Sequence, residues 1–157
     1  MDSAPYTAEF DAAKLTFDNY MSFEEHNYLR TAVEWTRVSE RQHEAAVKNS
    51  LFIVTVRLDG KLIGMARVVG DGGYLMLLGD VVVLPQYQGH GIGRAMLERV
   101  LDYANSHCGE DEKVMICLMS VKGKEGFYEK MGFTRRPNEL HGSGMSMYFS
   151  RQKSETA

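Results

Sequence analysis

One short run holds the residues best suited to chemistry. An apolar stretch, Val81-Val82-Val83-Leu84, stops at Pro85, passes through Gln88-Gly89-His90-Gly91-Ile92-Gly93 and becomes an amphipathic helix with Arg94 in its first turn. Glycines at alternate positions let the backbone approach a ligand closely and enter conformations closed to other residues. The N–H groups of such a loop converge at the start of the following helix, where the helix dipole adds partial positive charge. The chemistry this predicts is anion binding, with a phosphate as the natural ligand.

Two familiar phosphate loops fail the test of spacing. A P-loop requires Lys and then Ser or Thr after its last glycine, whereas Ile92 follows Gly91 and Arg94 follows Gly93. A dinucleotide fingerprint requires Gly-x-Gly-x-x-Gly after the first strand of a parallel sheet, and here the spacing is Gly89-x-Gly91-x-Gly93. The pattern that fits is Gln-x-x-Gly-x-Gly, met by Gln88, Gly91 and Gly93. It is preceded by Val-x-Val-x-Pro at 81–85 and followed by Gly-Phe-Tyr-Glu-Lys-Met-Gly-Phe at 126–133. On these motifs and their separation the chain resembles the GCN5-related N-acetyltransferases, from about residue 15 to about residue 150.

The resemblance implies acetyl-coenzyme A as the donor. Gln88, Gly89, His90, Gly91, Ile92 and Gly93 would meet its pyrophosphate through main-chain N–H groups, with Arg94 a charge partner. Val81, Val82 and Val83 would offer backbone groups to the acetyl-pantetheine arm, as a splayed strand accepts an added one. Tyr128 takes the position of the family's tyrosine, whose phenol donates to the departing sulfur. A phenol of pKa ~10 facing a thiol of ~8.5 needs little tuning for that task. The other meaning of Tyr128 is a core aromatic beside Phe127 and Phe133.

Proton removal from the acceptor is less defined. Asp80 stands at the edge of the cofactor strand and is the candidate base, with a structural role at the Gly79 position as the competing reading. Asp71 is a candidate wall of the acceptor pocket, although turn chemistry explains it equally well. Trp35, the sole tryptophan, is a second candidate wall, against an ordinary packing role. The reaction implied is direct attack, within a ternary complex, by a primary amine, with a small molecule favoured as acceptor. A non-catalytic acyl-CoA-binding module and a protein or peptide N-acetyltransferase are the alternatives.

These residues must be held by a scaffold, and its elements are legible. Leu15-Thr16-Phe17 reads as a short first strand. Ser22 caps a helix from Phe23, and Ser39-Glu40-Arg41-Gln42 has the form of a capping box opening a second helix. From Leu51 the apolar period shortens. Leu51 to Leu58, Lys61 to Val69 and Tyr74 to Leu84 read as strands of a meander, with Asp59-Gly60 as a hairpin turn and Gly79-Asp80 as a bulge.

Ile92, Met96, Val100 and Tyr103, widened by Leu97, Leu101 and Ala104, form one helix face packed on a sheet. Val114 to Met119 reads as a buried strand, Glu125 to Met131 as a short helix closed by Gly132, and Met145 to Phe149 as part of a final hairpin. Met65, Met76, Met96, Met115, Met119 and Met131 read mostly as core. The fold class is therefore α+β (mixed α/β): a mostly antiparallel twisted sheet with one parallel pairing across a crossover helix, flanked by helices.

Composition sets outer limits. A chain of 157 residues favours one domain with a substantial core of its own, ending in a polar tail from about residue 152. The net charge of −3 and the lack of a basic block argue against nucleic acid as a partner, and an anion must be held by local groups. Cys108 and Cys117 have no zinc or disulfide spacing and read as small core hydrophobes, so no metal is expected. No apolar stretch approaches membrane-spanning length and no leader pattern opens the chain, which points to a cytoplasmic setting without a membrane partner. Exposed strand edges near the C-terminus suggest a homodimer.

Overall fold

The computed structural model describes residues 10–150, and its compact arrangement divides at Leu118/Met119 into two units. The first unit is built on a five-stranded sheet in the order β1-β2-β3-β4-β5. The strands are β1 (Leu15–Asp18), β2 (Phe52–Leu58), β3 (Lys61–Gly70), β4 (Leu75–Val83) and β5 (Met115–Leu118). Neighbours β1 to β4 pair antiparallel, and β4 pairs parallel with β5. The mostly antiparallel sheet with a single parallel pairing is the one expected from the pattern of residues.

Two helices of this unit begin where capping chemistry dictates. Ser22 starts α1 (Phe23–Ala32): its hydroxyl accepts from the Glu25 N–H, and the Glu25 carboxylate accepts from the Ser22 N–H. Ser39 and Gln42 do the same for α2 (Glu40–Asn49). Such reciprocal pairs satisfy donors that a helix start leaves without partners. Between the two helices Asn27, fully buried, accepts from the Val38 N–H at 2.9 Å and donates to the Val38 carbonyl at 3.1 Å. One amide thus satisfies both backbone groups of the residue that turns the chain toward α2.

The long helix α3 (Ile92–Ser106) buries Ile92, Met96, Leu97, Val100 and Ala104 and packs on β2, β3 and β4. Five consecutive residues of β3, Leu62 to Ala66, are buried, which requires cover on both faces of the sheet. Gly64 is small for a reason. A Cβ there would lie 3.0 Å from the Val82 carbonyl and 3.5 Å from the Met96 sulfur. The absence of a side chain lets β3 approach both β4 and the crossover helix.

Several expectations are corrected. The segment around β5 is half-exposed rather than buried, with Met115 open to solvent. Its strand lies at the end of the sheet order, so one flank has no partner strand among the described residues. Met65, Met76 and Met96 are core, but Met119 is also exposed and Met131 only half-buried. Cys108 and Cys117 are free thiols at half-buried positions.

In the second unit α4 (Glu125–Glu129) stops short of Met131, and Gly132 follows at φ 95°. Met145 to Phe149 is exposed and forms no strand. A strand needs a partner for its backbone groups, and no hairpin forms there without one. The expected polar tail, from about residue 152, lies outside the described residues.

Candidate active site

Strand β4 and the start of α3 supply the first half of the site. Opposite β4, register with β3 passes from Met65↔Val82 directly to Arg67↔Gly79, so Asp80 and Val81 stand against the single residue Ala66. This is the bulge expected at Gly79-Asp80, and Asp80 sits in it at φ 48°. On the other side, pairing with β5 ends at Leu78↔Leu118. From Gly79 to Val83 that edge of β4 has no partner strand among the described residues, and its backbone is open to an extended ligand.

After Leu84 the chain makes one 3-10 turn and reaches the glycines. Gly89 and Gly91 are left-handed, at φ 82° and 79°, and Gly91 is the N-cap of α3. The first turn of α3 closes with the Ala95 N–H donating to the Gly91 carbonyl at 3.0 Å. Among the described residues the N–H groups of Gly89, His90, Gly91, Ile92, Gly93 and Arg94 find no acceptor. A Cβ placed on Gly89 or Gly91 would meet nothing within 4 Å, so the space beside them is vacant for a ligand atom. A diphosphate, with several acceptor oxygens and negative charge, fits such a cradle.

The side chains of this loop mostly brace it. Gln88 donates its Nε2 N–H to the Val83 carbonyl at 2.9 Å, tying the loop back to β4, and its own backbone N–H is turned toward the Pro85 carbonyl at 3.3 Å. His90 is exposed and stacks on Phe10 with ring centroids 4.2 Å apart. Arg94 lies along α3, its Nε 2.9 Å from Glu98, with both side chains largely in solvent. An exposed pair of this kind is weak enough to release the guanidinium to an incoming phosphate.

Asp80 is the centre of a second constellation that sequence reasoning missed. Arg30 of α1 donates to its Oδ1 at 3.0 Å, and Arg67 of β3 donates to its Oδ2 at 2.5 Å. His26, one turn before Arg30, brings Nε2 to 3.8 Å from the same Oδ2. Burial works to raise the Asp80 carboxyl, but hydrogen bonding from its neighbours and the charges of Arg67 and Arg30 outweigh it and hold the group far below the usual carboxylate range. One signal was available in the chain. Antiparallel return from the turn at 71–74 sets Arg67 against Gly79, beside an opposite charge.

Trp35 is drawn into the same constellation. The Arg30 guanidinium lies over its ring at 5.5 Å while Arg30 Nε donates to the Thr36 carbonyl. Trp35, Arg30 and Asp80 therefore form one contiguous wall. Asp71 does not join it. Its Oδ1 accepts from the N–H groups of Gly73 and Leu75, and these bonds lower its carboxyl below the ordinary value, the behaviour of a turn residue.

In the second unit Tyr128 lies on α4, half-buried, with its ring edge-on to Phe127 and Phe133 at centroid distances of 5.1 and 6.0 Å. Burial pushes its phenol above the ordinary value, so it stays protonated at neutral pH and is a donor there.

Residues 15–133 match the acetyltransferase (GNAT) family, a span that holds both the glycine loop and Tyr128. The chain belongs to that family. Among its relatives is the uncharacterized N-acetyltransferase ycf52 of Pyropia yezoensis, 27% identical over 138 residues that cover 85% of this chain and 77% of that protein. A chloroplastic serotonin N-acetyltransferase of Oryza sativa is 37% identical over 95 residues, 60% of this chain and 44% of the rice protein, so the match spans under half of that relative. Among solved structures, a Staphylococcus aureus protein of unknown function described as a probable acetyltransferase superposes with a TM-score of 0.76. It is 29% identical, and the match covers 86% of this chain and 99% of that one. N-acetyl transfer is the reaction class that these likenesses support for the GNAT chain.

Proposed function

We propose that this GNAT chain transfers the acetyl group of acetyl-coenzyme A to a primary amine of a small molecule, by direct attack in a ternary complex. The observation that carries the reading is the cradle from Gly89 to Arg94, six consecutive N–H groups without acceptors among the described residues, following a strand whose edge opens at the Asp80 bulge. The family match crosses the division at Leu118/Met119, which supports reading the two units as parts of one catalytic domain. The rice relative's named substrate is an arylalkylamine, and this supports a small amine as acceptor.

In this reading the cradle binds the donor's pyrophosphate, and Val81 to Val83 bind its pantetheine arm. The acceptor reacts as a neutral amine, so an ammonium of pKa ~10 must first release a proton. A carboxylate as acidic as Asp80 is a poor acceptor for it, and water takes the proton instead. The amine nitrogen then forms a bond to the thioester carbonyl carbon, the carbon–sulfur bond breaks, and Tyr128 donates its phenolic proton to the departing thiolate. Trp35 and Arg30 wall the acceptor side.

The test is an acceptor screen with acetyl-CoA, reading free thiol against arylalkylamines, polyamines, amino acids, aminoglycosides and peptides, alongside calorimetric titration of acetyl-CoA. Thiol release with small amines supports the proposal. Release with peptides alone would move the assignment to a protein acetyltransferase. Tight binding with no release on any amine would make the chain a non-catalytic acyl-CoA-binding module.

A further inference from the structure

We propose that Asp80 is a positioning residue: its carboxylate, gripped by Arg30 and Arg67 and faced by His26, locks the β4 bulge in its left-handed form and couples that bulge to helices α1 and α2. The inference rests on the donor-site reading above in one respect, that Val81 to Val83 serve the acyl donor.

The backbone sets the problem. Asp80 is one of four described non-glycine residues with positive φ, at 48°, and it lies within a strand rather than in a turn. L-residues with a Cβ disfavour that region, and such conformations persist where the surroundings over-determine them. Gly79, just before it, has nothing within 4 Å of a hypothetical Cβ, so neighbouring side chains do not wedge the bulge in place at that residue. The restraint comes from the Asp80 side chain. Both carboxylate oxygens are engaged, Oδ1 by Arg30 and Oδ2 by Arg67, and only 13% of the side chain is exposed.

Each partner is anchored again further out. Arg30 holds the Thr36 carbonyl and lies over Trp35, both in the α1–α2 connection. Arg67 donates to the Ser50 hydroxyl at 3.3 Å, at the end of α2. His26, 1% exposed, places Nδ1 3.0 Å from His43 Nδ1 on α2, while its Nε2 is buried without a hydrogen-bond partner. Of two Nδ1 atoms in contact one must donate. The nearby carboxylate favours the proton of His26 on Nε2, so His26 Nδ1 accepts from His43. Asp80 is therefore the point where α1, α2 and β3 all converge on the cofactor strand, and a shift of the helices as an acceptor enters would be felt at the bulge.

A lock and a base respond differently to substitution. Glycine adopts φ 48° without penalty, asparagine tolerates it and can still accept from one arginine, and alanine does neither. The three variants Asp80→Asn, Asp80→Gly and Asp80→Ala are compared by thermal melting, acetyl-CoA titration and the pH profile of kcat/KM.

The lock predicts that Asn and Gly lie above Ala in all three measurements. Gly should melt roughly 2–4 °C above Ala and retain about tenfold more kcat/KM. Asp80→Asn, the conservative variant, should leave the acid limb of the profile in place. Equal melting temperatures for Gly and Ala would overturn the lock. So would equal residual rates in all three variants with loss of the acid limb, the result expected of a base. Failure of the wild-type chain to bind acetyl-CoA would instead defeat the donor-site reading, while the melting order still decides the lock.

Discussion

Replacing Gly91 with alanine should separate folding from donor binding, because the chain contains its own control. Gly60, in the β2–β3 hairpin, has the same φ of 79° as Gly91, and at both positions a new Cβ meets nothing within 4 Å. The two substitutions therefore place a Cβ at the same left-handed φ, and the backbone strain of each is about 1–2 kcal/mol for a left-handed L-residue. Part of that is offset by the less flexible unfolded chain, about 0.4–1 kcal/mol. In a chain of 157 residues the net loss lowers Tm by only a few degrees, roughly 2–4 °C per kcal/mol.

Binding should divide the two variants. The Gly91 Cβ enters the vacant space over the cradle and pushes a phosphate off at least one or two N–H groups. At about 1.5–3 kcal/mol for each charge-assisted bond, the loss is roughly 2–4 kcal/mol, or about 30- to 1,000-fold in Kd. Calorimetric titration of acetyl-CoA, with melting curves on the same samples, measures both quantities. Gly60→Ala should bind as the wild type does. If Gly91→Ala binds within about threefold of Gly60→Ala, the cradle does not hold the donor and the assignment of the loop fails. Gly91→Val should lose binding altogether while retaining the fold.

Three further outcomes are expected. Tyr128→Phe should lower kcat by about 100-fold or more while leaving the KM for acetyl-CoA in place, because only proton donation to the sulfur is removed; steady-state kinetics showing full turnover would take Tyr128 out of the mechanism. Asn27→Ala should cost roughly 1–3 kcal/mol, since it removes both hydrogen bonds that the fully buried Asn27 amide makes to the backbone of half-buried Val38; urea unfolding with a loss under about 0.5 kcal/mol would refute that account. Asp80, Asp18 and Glu25 all titrate below their ordinary values in the folded chain. Their contribution is present above the unfolded value near pH ~4 and is lost as pH falls toward the folded values. The Tm gap between wild type and Asp80→Asn should accordingly narrow as pH is lowered from neutral to below about 4, and a constant gap would deny the linkage.

Elements whose signal is local were legible in the chain. The capping residues Ser22 and Ser39, the Asp59-Gly60 turn and the apolar stripe of α3 act within a few residues of themselves, and all stand where periodicity placed them. The bulge at Gly79-Asp80 and the cradle were readable for the same reason. What failed depended on partners. Met145 to Phe149 has the composition of a strand and forms none, because a ladder requires a second segment that composition does not supply. Met115 and Met119 are apolar and exposed, because burial depends on what covers a residue and not on its type.

The chain by itself determined the cradle proposed for the donor in this GNAT protein, since glycine loop, bulge and helix start lie close together in sequence and their geometry follows from backbone conformation. Only the tertiary structure gave the surroundings of Asp80 from which the proposed lock is argued. Its partners Arg30 and Arg67 lie 50 and 13 residues away in sequence, and a carboxylate reads identically as base or as lock until its neighbours are known. The two arginines close at hand hold it ionised, and an ionised, doubly bonded carboxylate grips far better than it accepts a proton.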